Sequence, residues 1–232
     1  GPFKLTEFKN GEHVILERFD DFFIEGRPYL DKVVMRIITD PAARAIAYEN
    51  GELHMGAFES LPRIINRLKK VDSLTVTPNG YGAIGPISWL AMNTADGPLS
   101  DVRVRKAIAY AVDKDFIHKA LMQGTAADST TGIHPDSPFY AEQEGYALDL
   151  EKSVALLDEA GFPVKDGSRM ALTIDFGWPG VKAEVEYVKA ALKKVDIDVE
   201  VRASADFPTW AKKMGTGDFD MSWDTVFNWG DP

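Results

Sequence analysis

The sequence predicts an α/β protein in which a mixed β-sheet is flanked by helices. First, strand-like and helix-like segments alternate regularly over residues 149–223, the pattern of βαβ units with parallel pairing. Second, segments near the amino terminus alternate apolar and polar residues with the period of a strand. Third, 232 residues, 45% of them hydrophobic, suffice for a sizeable core. No repeat or low-complexity tract interrupts the chain, so we expect a single α/β domain over residues 1–232.

The first third of the chain is predicted to begin as a sheet and to continue as helices. Strand-like runs lie at residues 3–8, 13–19 and 33–38. Asp40 as N-cap and Pro41 in the first turn predict a helix that Gly51 ends. The pattern then indicates a second helix over residues 60–70 and a short strand over 74–76.

The middle of the chain contains the clearest helix. A short apolar run at residues 87–92 predicts a buried strand before it. Asp101 can cap the helix, and Arg105 follows at the spacing of an ion pair. The apolar face of this helix comprises Val104, Ala107, Ile108, Ala111 and Val112. A helix over residues 115–122 and a long loop over 125–146, rich in Ser, Thr, Pro, Asp and Gly, come next.

The remaining segments alternate between helix and strand. Helices are predicted at residues 149–160, 181–195 and 207–214, and strands at 171–176, 197–202 and 219–223. This alternation favours parallel pairing, which places ligand sites beyond the carboxyl ends of the strands.

Charge and composition exclude several classes of function. The chain carries 26 basic and 36 acidic residues, a net charge of −10, so nucleic acid, which requires a basic face, is not expected as a partner. The absence of cysteine excludes disulfides and thiolate metal sites and is consistent with an oxidising compartment. The histidines lack the spacing of a metal site, so neither a metal nor another cofactor is predicted; they are His13, His54, His118 and His134.

Both ends of the sequence lead us to expect a piece of a longer protein. No apolar run approaches the roughly 20 residues that cross a bilayer, and the first residues lack the pattern of a signal peptide. At the other end, the last predicted strand runs into an aromatic-rich segment, residues 224–232, without the polar tail that is usual at a carboxyl terminus.

One extended motif connects the chain to a known family. Met92-Asn93-Thr94, the run Pro98–Ile108 and Ala111-Val112-Asp113 together closely resemble the signature of the family 5 extracellular solute-binding proteins. This family includes the dipeptide-, oligopeptide- and nickel-binding receptors of ABC importers. The resemblance extends over essentially the whole chain, through residues 1–5, 149–162 and 228–232.

The resemblance implies both a fold and a function. Members of the family have two lobes joined by a hinge of two crossings, and the ligand is enclosed between the lobes. The chain resembles lobe II alone of a type II periplasmic-binding-protein fold, from the first crossing at Gly1 to the second near Asn228. The implied partners are lobe I of the same protein, the membrane subunits of an ABC importer and a small solute, either of peptide type or of sugar type. A periplasmic or other extracytoplasmic location in bacteria, and the absence of enzymatic activity, are also implied.

Three places are candidates for ligand contact, because ligands of open α/β sheets sit beyond the carboxyl ends of strands. Trp178 lies in a glycine-flanked turn after the strand at 171–176, where an indole suits cleft contact as well as packing. The strand at 87–92 contains Trp89, a position more typical of a core, and leads to Asn93. The third place, at the end of the last strand, contains Asp224, Phe227, Asn228 and Trp229.

Asn228 departs from the family pattern. In the peptide-binding members that the chain resembles, an aspartate four residues before the return-crossing proline pairs with the amino terminus of the peptide. An amide cannot supply the charge that a buried ammonium group needs. The departure favours a neutral solute such as a sugar, or a peptide that is anchored differently. Asp224 or Asp231 is a candidate substitute, although each also fits an ordinary strand-end or turn position.

Two other functions stay open at this level. A glycoside or peptide hydrolase is one, but no serine elbow, catalytic cysteine or close histidine–acid pair supports it. A ligand-sensor domain of a regulator is the other.

Two short motifs resemble binding sites but lack required parts. Residues 80–85 match the spaced glycines of a dinucleotide site, yet Pro86 and a strand follow where a helix is required. Asp218 and Asp220 lack the glycine and the distal glutamate of a calcium loop.

Overall fold

The computed structural model describes residues 1–80, 84 and 86–227. The chain divides into two compact units, the first formed by residues 1–59 and 66–76 and the second by residues 60–65 and those from 77 onward. The sequence predicted one domain, and the division separates the amino-terminal strands from the alternating segments. The two units are described in turn.

The first unit contains an antiparallel sheet of three strands in the order β1-β2-β3. The strands are β1, Phe3–Lys9, β2, His13–Arg18, and β3, Lys32–Arg36, which confirms the three predicted runs. Helix α1 covers Pro41–Glu49, and the Asp40 side chain caps it by accepting a hydrogen bond of 2.7 Å from the Ala43 amide. Helix α2, Pro62–Leu68, has residues in both units.

The second unit is built on a mixed sheet of four strands in the order β4-β7-β5-β6. Its strands are β4, Pro86–Met92, β5, Met170–Phe176, β6, Ile197–Ala203, and β7, Met221–Phe227. Strand β5 runs parallel to both β6 and β7, whereas β4 is antiparallel to β7. The predicted mixed sheet with parallel pairing in the second half of the chain is therefore confirmed.

Most helices of the second unit begin at an aspartate N-cap. They are α3, Val102–Ala111, α4, Lys114–Phe116, which continues as a π-helical turn over Ile117–Leu121, α5, Leu150–Glu159, α6, Lys182–Lys193, and α7, Phe207–Thr216. In four of them a side-chain oxygen accepts a hydrogen bond from an amide in the first turn; the residues are Asp101, Asp113, Asp149 and Asp206. Residues 125–146 form the long loop that the composition predicted.

The two faces of the four-stranded sheet differ in character. One face shares a hydrophobic core with α3, α5 and α6 and contributes Leu172, Ile174, Phe176 and Met221 to it. Successive residues of a strand point to opposite faces, so the other face, which we call the front face, carries Asp175, Ser222 and Asp224. Helix α7 lies on the front face. The indole Nε1 of Trp210 donates to Ser222 Oγ at 3.0 Å, and Lys213 Nζ donates to Asp175 Oδ1 at 2.8 Å.

Three local predictions were wrong. Residues 74–76 form no strand, because no described strand pairs with them. Asp101 forms its ion pair with Arg103, at 2.6 Å, while Arg105 donates to backbone carbonyl oxygens in the preceding turn. Strand β7 extends four residues further than predicted, to Phe227, because β4 continues to pair with it along this length.

Candidate ligand-binding site

Exposed aromatic side chains mark the carboxyl edge of the parallel strands. Because β6 and β7 are both parallel to β5, their carboxyl ends meet at one edge of the sheet. We call the aromatic residues at these ends the aromatic edge; they are Trp178 after β5, Phe207 and Trp210 in α7 after β6, and Phe227 at the end of β7. Trp178, Phe207 and Phe227 are 64%, 65% and 44% exposed. Such rings offer flat apolar surface for contact with a solute.

Gly177 allows the ring of Trp210 to reach the end of β5. A Cβ atom on Gly177 would lie 2.7 Å from Cγ of Trp210, closer than non-bonded carbon atoms approach in proteins. The indole of Trp210 is also fixed by its hydrogen bond to Ser222. The ring of Phe207 packs on it with a centroid separation of 5.4 Å. Trp210 is therefore a firmly placed part of the aromatic edge.

The predicted contact residue Trp178 lies at this edge with its indole folded over the following turn. A Cβ atom on Gly180 would lie 2.6 Å from Nε1 of Trp178, so only glycine fits beneath the ring. The turn itself is a short 3-10 helix, Pro179–Val181, that leads into α6. Trp178, which follows β5, and Phe227, the last residue of β7, were both predicted contact residues and belong to neighbouring parallel strands.

Trp89 and Asp224 lie on the front face rather than in a core or a loop. They are direct partners across β4 and β7, so their side chains are neighbours on the same face. Trp89 is 43% exposed, although a tryptophan within a strand was expected to be buried. The long loop passes close to its ring, since a Cβ atom on Gly132 would lie 3.9 Å from it. Oδ1 of Asp224 accepts a hydrogen bond of 2.6 Å from the Thr225 amide.

Asn93 lies at the opposite edge of the sheet from Trp178 and Phe227. Strand β4 is antiparallel to β7, so its carboxyl end lies beside the amino end of β7, and the rule for parallel strands does not apply to it. Nδ2 of Asn93 donates to the carbonyl oxygens of Gly217 and Phe219 at 3.0 and 3.1 Å, and Oδ1 accepts from the Ala95 amide. These bonds occupy the amide, which joins β4 to the segment before β7.

Two of the predicted contact residues, Asn228 and Trp229, lie outside the described residues, as does Asp231. Most of the glycine-spaced segment 80–85 also lies outside them, because only Gly80 and Ile84 are described there.

A buried carboxylate fixes α7 to the sheet. Asp175 is fully buried, and its Oδ2 accepts hydrogen bonds from Nε and Nη2 of Arg202, its partner across β5 and β6. Lys213 of α7 occupies the other oxygen at 2.8 Å. The Asp175 carboxylate raises the pKa of the Arg202 guanidinium. One buried carboxylate between two cations therefore ties together β5, β6 and the helix that carries Phe207 and Trp210.

Phe207, Trp210 and Asp175 were not predicted as site residues from the sequence. A signal for Asp175 was present, because a charged residue in an otherwise apolar strand, as in Leu172–Phe176, needs a buried partner. Two aromatic residues at i and i+3 in the first turn after a strand were a weaker signal for Phe207 and Trp210.

A second buried carboxyl group lies in the first turn of α6. Glu184 is 8% exposed, and its Oε2 has no hydrogen-bond partner among the described residues. Burial raises the pKa of Glu184 above the ordinary value for glutamate. The side chain lies on the same buried helix face as Val185 and Val188.

The described part of the chain contains no group of three or more His, Cys, Asp or Glu side chains that could hold a metal ion. Within the same residues, no helix has the length and apolarity needed to cross a membrane.

Comparison with known proteins agrees with this architecture. The family model described as bacterial extracellular solute-binding proteins, family 5 Middle, matches residues 1–232. The dipeptide-binding protein of Escherichia coli is 30% identical over 82% of this chain and 39% of its own length. NikA of Brucella suis, solved in complex with Fe(III)-EDTA, superimposes with a TM-score of 0.81 at 31% identity, covering 97% of this chain and 47% of that one. DppA of Helicobacter pylori, solved with the peptide STSA, gives 0.81 at 27% identity, covering 99% of this chain and 45% of that one.

The chain belongs to the family 5 bacterial extracellular solute-binding proteins. The resemblance seen in the motif at residues 92–113 is confirmed, and so is the fold class, since these neighbours are type II periplasmic binding proteins. The chain spans less than half the length of the relatives it matches.

Proposed function

We propose that the chain contributes one lobe of the substrate-binding component of a bacterial ABC importer, acting in the periplasm or another extracytoplasmic space. The observation that carries this proposal is the aromatic edge, an exposed aromatic surface where ligands of parallel α/β sheets bind. Family membership over the whole chain and the names of the relatives support it. In this proposal the second unit supplies the ligand surface of lobe II, and the solute is of peptide type or sugar type.

Closure between two lobes accounts for the exposure of the aromatic edge. Rings that are about half or more exposed gain binding free energy only when a solute and an opposing surface remove them from water. Solute bound on one lobe favours the closed form by adding contacts to both, and the membrane subunits of the importer recognise that form. The rest of the whole protein, including lobe I, would also cover apolar surface of the first unit, such as Leu5, Phe8 and Met35.

Binding rather than catalysis is the activity that the described groups favour. The most buried carboxylate, Asp175, is occupied by two cations and has no free oxygen for acid–base chemistry. Glu184 has a raised pKa, but it lies on the apolar face of α6 among buried valines. The family consists of binding proteins, which is consistent with this assignment. Turnover of a glycoside or peptide by the whole protein would contradict it.

The test is made on the full-length protein. Native mass spectrometry identifies the solute that co-purifies, and calorimetry then compares wild type with Trp178→Ala. We expect about tenfold weaker binding for the variant, as is typical for loss of a central tryptophan contact. Phe23→Ala, which removes an aromatic ring that is 87% exposed in the first unit, serves as the control and should bind as wild type. Unchanged binding by Trp178→Ala would refute the placement of the site.

A further inference from the structure

Trp89 and Asp224 form a pair on the front face of the four-stranded sheet. As direct partners on antiparallel strands, they have Cβ atoms about 5 Å apart. The indole is 43% exposed. The carboxylate is half-buried, uses one oxygen for the Thr225 amide, and has no ion-pair partner within the part of the chain that the structure describes. A carboxylate without a cation thus lies beside an open aromatic face.

The groups around this pair are either neutral or charged side chains that already form ion pairs with each other. On β7 the neighbours of Asp224 on the same face are Val226 and Ser222, and Ser222 is hydrogen-bonded to Trp210. Two cations at the front face, Arg202 of β6 and Lys213 of α7, are both bound to Asp175. Among the described residues, Asp224 therefore lies between the indole of Trp89 and the neutral Ser222, which Trp210 binds, and no cation pairs with its carboxylate.

We propose that Trp89 and Asp224 form a subsite for an organic cation, an ammonium or guanidinium group carried by the solute. A carboxylate supplies charge-assisted hydrogen bonds to such a group, and the face of an indole attracts it through the negative potential of the ring. Both interactions strengthen when a second surface excludes water from them. A bare metal ion would need further oxygen or nitrogen ligands, and no metal-binding group includes Asp224 among the described residues.

The subsite deepens the proposed function and rests on it, because it names the chemical class of the solute. A solute with a basic group is preferred over a neutral sugar, even though Asn228 carries no charge. The cationic group is recognised from the front face at β4 and β7, and the remainder of the solute extends over the aromatic edge.

The experiment uses full-length protein labelled with 5-fluorotryptophan, in which the Trp89 resonance is assigned with Trp89→Phe. L-Arginine amide and L-citrulline amide are the probes, because they have nearly the same shape and differ in the charge of the side-chain group. Both probes share an α-ammonium group, so N-acetylated forms of both are used to isolate the side chain. We expect N-acetyl-arginine amide to shift the Trp89 resonance saturably and N-acetyl-citrulline amide to leave it unchanged.

The variant Asp224→Asn keeps the acceptor for the Thr225 amide and removes the charge. It should weaken binding of N-acetyl-arginine amide at least about tenfold, the loss expected for one charge-assisted contact. Asp21→Asn, an exposed aspartate of the first unit, should have no effect. The proposal is overturned by an absent response to the arginine probe, by an equal response to both probes, or by an unaffected Asp224→Asn. In each case Trp178→Ala, tested with the co-purified solute, reports separately on the proposed function.

Discussion

Two lysine ion pairs of nearly equal length separate the effect of burial from that of distance. Lys213 lies 2.8 Å from Asp175, whose side chain is fully buried, and Lys193 lies 2.7 Å from Asp198, with both side chains about half exposed. Lys213→Met and Lys193→Met make the same substitution within a helix. We therefore expect very different losses in the free energy of unfolding from the two variants.

The loss in the free energy of unfolding depends on which interactions each carboxylate keeps when its lysine is removed. Without Lys213, the buried Asp175 keeps Arg202 but loses one of its charge-assisted hydrogen bonds, which costs about 1.5–3 kcal/mol. Lys213 is itself 28% exposed, so solvent screening favours the lower half of that range, about 2 kcal/mol. The exposed pair is screened by solvent, so Lys193→Met is expected to change the free energy of unfolding little.

Urea denaturation followed by tryptophan fluorescence measures both losses, because Trp210 reports on the helix that Lys213 holds. Far-UV circular dichroism of each variant before denaturation checks that the fold is intact. Losses that agree within about 0.5 kcal/mol would show that burial of Asp175 contributes little, and would refute the conclusion that this carboxylate fixes α7 to the sheet.

The other predictions concern packing and pH. Gly177→Ala places a Cβ atom against the ring of Trp210 and should destabilise the protein by about 1–3 kcal/mol, with a change in tryptophan emission. Gly215→Ala meets no atom within 4 Å inside α7 and should stabilise it by about 0.5–1 kcal/mol, so a loss as large as that of the first variant would contradict the argument. Burial raises the pKa of Glu184, so the folded protein holds a proton that the unfolded chain releases, and the contribution of Glu184 to stability should fall as pH rises above the ordinary glutamate pKa of 4.5. Glu184→Gln should remove this fall in thermal unfolding measured from about pH 4 to about pH 7, whereas Glu186→Gln, on the exposed side of the same helix, should retain it.

Local chemistry made much of the fold predictable. Asp40, Asp101 and Asp149 mark helix starts through hydrogen bonds that involve residues only two or three positions away. The alternation of strand and helix after residue 149 was also predictable, because the hydrophobic periodicity of each segment depends only on its own residues. This alternation in turn predicted parallel pairing.

Features that depend on a distant partner were not predictable from one sequence. Strand β7 extends to Phe227 because β4 lies beside it, and β4 precedes it by more than a hundred residues. Asn93 was predicted at the ligand edge by a rule that holds for parallel strands. Because β4 is antiparallel to β7, Asn93 lies at the opposite edge. The ion pair of Asp101 went to Arg103 because the backbone of the preceding turn accepts hydrogen bonds from Arg105.

The candidate site shows the same division. Trp178 was predicted as a contact residue from its glycine-flanked turn, a local feature. Trp210 belongs to the site because Gly177, in another element, leaves room for its ring. The pairing of Trp89 with Asp224 depends on strand register, which composition does not encode.

Helix α7 contributes no buried residue to the protein. It is attached to the front face through Trp210 and Lys213, so its opening exposes little apolar surface and should cost less free energy than unfolding of the core. Its backbone amides should accordingly be among the first helical amides of the second unit to exchange with deuterium. A solute that binds against Phe207 and Trp210 would slow that exchange. Slower exchange in α7 should therefore reveal binding at the aromatic edge before any change appears in the core helices.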